Sequence, residues 1–75
     1  MTVKTPERPP VRRVVLDTLS DAGSVTDDLL VAIVHDKADA APWMIRATID
    51  RMERAGVIYN ASGDEMDPRW KLTQP

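Results

Sequence analysis

The sequence predicts a mainly α-helical domain closed by a small β-hairpin, an α+β fold of three helices plus two to three short strands. Three observations predict it. Residues 11–22 and 42–55 each repeat apolar side chains at helical spacing on one face, and each segment runs into a glycine, Gly23 or Gly56. Between them, "SVTDD" supplies a helix start ahead of the apolar "LLVAIV". After Gly56, "VIYNA" and "RWKLT" flank "SGDEMD", a loop rich in turn-forming residues.

Taken in order, the chain opens with "TPERPP", whose prolines favour an extended backbone, so residues 1–9 are expected to be a flexible, basic, Pro-rich tail. The folded domain is then residues 10–75. Pro10 fits the first turn of a helix, where its missing N–H costs nothing. Val11, Val14, Val15, Leu19 and Ala22 share one face of that helix, with Arg12, Arg13, Asp17, Ser20 and Asp21 turned away. Leu16 lies off the stripe and is expected to pack under another element.

Ser24 and Val25 fit a very short strand. Thr26 is placed as an N-cap, with Asp27 and Asp28 beside the positive end of the helix dipole and Val25 set to staple onto Leu30. This second helix is expected over Asp27 to about His35. "LLVAIV" is nearly apolar all round, so a strand is the alternative, and the cap favours the helix. In the third helix Ile45, Ile49 and Met52 share one direction, while Trp43, Ala47, Asp50 and Arg54 point the opposite way. In "RWKLT", Trp70 and Leu72 fall on one face and Arg69, Lys71 and Thr73 on the other.

The 75 residues suffice for one domain with a simple core, and they leave little room for an enzyme cleft. Cysteine is absent and His35 is the single histidine, so no metal site and no cofactor are expected. Asp27 and Asp28 could be drawn as a catalytic pair, but the helix start accounts for them, and no enzyme is expected. The longest apolar run, residues 29–34, is far below the roughly 20 residues that span a bilayer. The N-terminus lacks the apolar block of a signal peptide, so a soluble cytoplasmic protein without membrane contact is expected. Net charge is −2, with an acidic middle and relatively basic ends.

Helix, short strand, helix, helix and hairpin is the order of a winged helix-turn-helix domain. "IDRMERAGVI", residues 49–58, resembles the "drLEekGLI" end of the recognition helix in MarR-like and related bacterial or phage transcriptional regulators. Asp67 and Arg69 with "KLT" resemble the "D-x-R … LT" end of their wing, and the resemblance covers residues 11–73. It implies a transcriptional regulator whose helix 42–55 enters the major groove of double-stranded DNA. Carried over by position, Trp43, Met44, Arg46 and Ala47 are the implied base readers and Arg69 the wing contact. Arg46 projects sideways from the core stripe and can offer guanine a bidentate fork, worth about 1–3 kcal/mol of discrimination. Arg12, Arg13, Arg51, Arg54 and Lys71 are the expected phosphate contacts.

Departures from the pattern support a second expectation. Met44 and Ala47 stand where the related regulators carry small polar residues or arginine. Asp64, Glu65 and Asp67 make the wing acidic, and the helices through which MarR-like proteins dimerise are missing. The alternative is therefore a winged-helix module that binds a protein partner, or a second copy of itself, through Trp43, Met44 and Arg46. Trp43 has two readings, a lid folded back over the core or an exposed aromatic anchor. Asp50 and Arg54 can pair at i,i+4 on a merely solvated face. Met52 and Met66 are expected to fill gaps, and His35 to sit solvated near its helix end.

Overall fold

The computed structural model describes residues 9–74. Most of the expected tail, residues 1–8, lies outside the described residues; Pro9 and Pro10 are exposed. The elements are α1 Val11–Ala22, β1 Ser24–Thr26, α2 Asp27–Ala38, α3 Pro42–Arg54, β2 Ile58–Asn60 and β3 Arg69–Leu72.

α1 ends as its sequence dictates. Gly23 takes a φ of 82°, which a residue bearing Cβ rarely adopts, and its N–H donates to the Leu19 carbonyl at 2.9 Å. α2 runs past His35 to Ala38, longer than expected. Asp36 and Lys37 carry no apolar signal, yet Ala38 packs on the core and Asp39 closes the helix in the left-handed region. The "LLVAIV" segment is helical throughout, which removes the strand alternative.

Thr26 holds the N-cap position of α2, but its side chain makes no capping hydrogen bond. Thr26 also belongs to β1, paired opposite Arg69, and the following N–H, that of Asp27, donates to the Pro68 carbonyl at 2.9 Å. One residue thus ends a strand and starts a helix. α3 begins on Pro42 and stops where Gly56, at φ 77°, lets the Val57 N–H reach back to the Met52 carbonyl.

The sheet has the order β1-β3-β2, antiparallel throughout, with Val25 opposite Trp70 and Ile58 opposite Leu72. Its inner face delivers Val25, Ile58 and Trp70 to the core. Each helix packs on the other two and contributes one apolar stripe: Val14, Val15 and Leu19; Leu30, Val31 and Val34; Ile45, Ile49 and Met52. Burial of each such side chain contributes about 1.5–3 kcal/mol before entropy is counted. Leu16 is partly buried against this core, as expected, whereas Met66 is 92% exposed on the hairpin loop and fills no gap. Thr18 is buried in the same layer with its hydroxyl unpartnered among the described residues. Three helices and a small three-stranded sheet in this order have the layout of a winged helix, with β2 and β3 as the wing.

Candidate functional site

Burying Ile45, Ile49 and Met52 on one side of α3 turns the opposite side outward. That side carries Trp43, Ala47, Asp50, Arg51 and Arg54, with Met44 and Arg46 on its two flanks. Trp43 is 71% exposed and Met44 41%. The lid reading of Trp43 is thereby corrected. The ring sits on the first turn of a helix whose core side is already filled by Ile45, so it has nothing to cover.

Arg46 is not the free fork that its position in the sequence suggests. Its Nη1 donates to Asp27 Oδ2, and its Nη2 lies 3.6 Å from Asp28 Oδ1. The hydrogen bond to Asp27 and then the charge of Asp27 push the guanidinium pKa above its ordinary value; burial opposes the shift weakly and Asp28 adds to it. The two aspartates therefore do more than face the helix dipole. Asp27 Oδ1 also accepts the indole N–H of Trp70 at 2.9 Å, so one carboxylate joins the start of α2, the flank of α3 and the centre of the sheet. Sequence reasoning missed this node. Its partners stand 19 and 43 residues away, beyond any local spacing rule.

The other expected contact residues divide between surfaces. Arg54 is exposed and paired with Asp50 at 3.0 Å, the i,i+4 pairing expected from sequence. Arg51 is exposed on the outer side of α3. Arg12 and Arg13 stand exposed on the first turn of α1, with Arg13 Nε 4.0 Å from Asp17. Arg69 donates weakly to the Ser24 hydroxyl at 3.4 Å. Lys71 faces outward opposite Tyr59 and lines a groove with Leu19, Ser20 and Gly23 to which α3 contributes nothing. Trp43, Ala47, Arg51, Arg54 and the flanking Met44 and Arg46 are thus brought together, while Lys71 belongs to a different face.

The wing loop is organised by a residue that the sequence reading passed over. Asn60 Oδ1 accepts the Ser62 N–H at 3.0 Å, the Ser62 hydroxyl at 2.7 Å and the Arg69 N–H at 3.1 Å, while its amide donates to the Asp64 carbonyl. An asparagine just before a turn is the signal that could have found it. The Asp64 carboxylate accepts the Met66 N–H at 2.9 Å, which fixes it in the loop, and Glu65 and Asp67 are exposed beside it. His35 Nδ1 lies 2.7 Å from the Ala40 carbonyl and so braces the turn between α2 and α3.

Among the described residues no group of three or more metal-ligating side chains occurs, and no helix is long and apolar enough to cross a membrane. Comparison of the chain with protein-family models, with curated proteins and with solved structures finds no match.

Proposed function

We propose that the chain is a winged-helix domain that binds double-stranded DNA with a sequence preference and acts as a transcriptional regulator of bacterial or phage type in the cytoplasm. The observation that carries this reading is the division of α3 into a side buried through Ile45, Ile49 and Met52 and an opposite, largely exposed one. A helix held by its back against a three-helix core can enter a major groove roughly 12 Å wide without disturbing that core. Arg51 and Arg54 then reach phosphates, Trp43, Met44 and Ala47 face base edges and thymine methyls, and Arg46 addresses guanine. Arg12, Arg13 and Arg69 are further backbone contacts in this reading.

A second reading is favoured by the exposed Trp43 and Met44 together with the acidic wing, which suit a protein partner through the same face. Salt separates the two. Contact with about three phosphates lowers duplex affinity roughly forty-fold between 50 and 200 mM salt, whereas an interface anchored by an aromatic ring changes little. Fluorescence anisotropy with labelled random duplexes is the measurement. The expected outcome is steep salt dependence, with sequence preference reduced by Arg46→Ala. Absence of duplex binding at low salt overturns the proposal and leaves the protein partner.

A further inference from the structure

We propose that Asp27 is a positioning residue for base recognition, aiming the Arg46 guanidinium so that its Nε/Nη2 edge meets one guanine. The inference rests on the DNA-binding reading and adds to it the residue that sets specificity from outside the recognition helix. Both oxygens of the Asp27 carboxylate are engaged, Oδ1 by the indole of Trp70 and Oδ2 by Arg46. Trp70 is only 6% exposed, and the Asp27 N–H is itself held by the Pro68 carbonyl. The carboxylate therefore cannot turn without giving up a bond to a ring fixed in the core. Arg46 is held by a rigid anchor, and its rotamer freedom is largely spent before DNA arrives, which lowers the ordering cost of recognition.

The chemistry selects a base over a phosphate. A guanidinium lying between two carboxylates has its charge compensated, so its attraction for phosphate is weak. Its remaining donors are not exhausted, although Nη2 is shared with Asp28. Of the five N–H groups of an arginine, Nη1 spends one on Asp27 and Nη2 stands near Asp28, while Nε makes no hydrogen bond among the described residues. Nε and Nη2 form a two-donor edge that matches the neutral O6 and N7 acceptors of guanine. Compensation thus removes the sequence-independent part of what Arg46 does and leaves the sequence-reading part.

The test uses the full chain. A selection on random duplexes defines the preferred site, and anisotropy titrations on that site and its single-base variants then measure discrimination at two salt concentrations. Arg46→Ala and Asp27→Asn are both expected to lower discrimination at the same G·C pair by about tenfold, and the double variant is expected to lose no more. Asparagine keeps an oxygen for the Trp70 indole, so the melting temperature checks the scaffold separately. The conservative Asp27→Glu is expected to restore part of the discrimination. Tighter binding of Asp27→Asn to every duplex with discrimination intact overturns the proposal, because Asp27 then acts only as a counter-charge. A loss spread evenly over all positions overturns it too, as a purely structural effect. Should Asp27→Asn fail to fold, Trp70→Phe keeps a ring in the core and removes only the N–H; unchanged discrimination in that variant refutes the positioning role. Salt-sensitive binding without any base preference in the wild type refutes this inference alone, whereas no DNA binding at all refutes the underlying reading with it.

Discussion

The chain contains two tryptophans, and the fold gives them opposite roles that substitution can read out. Trp43 is 71% exposed, so less than a third of its surface is hidden, which on a ring of roughly 250 Å² is about 70 Å². At roughly 25 cal/mol per Å² that burial contributes at most about 1.8 kcal/mol. Alanine returns about 0.5 kcal/mol through its better helix propensity. Trp43→Ala should therefore cost at most about 1.3 kcal/mol, a drop in melting temperature of no more than about 5–10 °C.

Trp70, at 6% exposure, is the contrast. Removing a large aromatic from a core costs about 3–5 kcal/mol, and here the change also strips a hydrogen bond from the buried side of Asp27. A domain of this size holds roughly 4–11 kcal/mol in total, so Trp70→Ala consumes much of it. Thermal melts followed by far-ultraviolet circular dichroism measure both. Acrylamide quenching of the single-tryptophan variants Trp43→Phe and Trp70→Phe gives an independent reading, with the remaining Trp43 quenched readily and the remaining Trp70 protected. A loss of 3 kcal/mol or more for Trp43→Ala would refute the reasoning, since the ring would then be a lid and the outward side of α3 would be wrongly assigned.

Two further outcomes follow from other parts of the structure. Thr18→Val replaces a buried, unpartnered hydroxyl by a methyl of the same shape and should stabilise the domain by about 1 kcal/mol, seen as a rise in melting temperature; a fall would show that the hydroxyl has a partner. Asp50→Ala releases Arg54 from its exposed pair at a cost of a few tenths of a kcal/mol and should steepen the salt dependence of duplex binding by about one counterion. An unchanged slope would place Arg54 away from the phosphates.

The local sequence determined the elements, because each is specified by residues within a few positions of one another. The stripe Ile45, Ile49 and Met52 is enough to say which side of α3 is buried, and Gly23 and Gly56 are enough to say where α1 and α3 stop. Where a second role intruded, the local signal fell short. Thr26 looks like a hydroxyl cap but is also a strand residue, and Asp36 and Lys37 conceal one more turn of α2. The outward direction of Trp43 was legible in its spacing, but its degree of exposure was not.

The state of Arg46 was decided by the tertiary structure alone. Read along the chain, it is a cation on a helix flank; in the fold it is held by two aspartates from the start of α2, one of them anchored in turn by Trp70. Secondary structure arises from backbone sterics and side-chain periodicity over a turn or two, which a sequence displays directly. A salt bridge between helices depends on where those helices cross, and the crossing is fixed by the packing of the whole core, so no short-range pattern carries it.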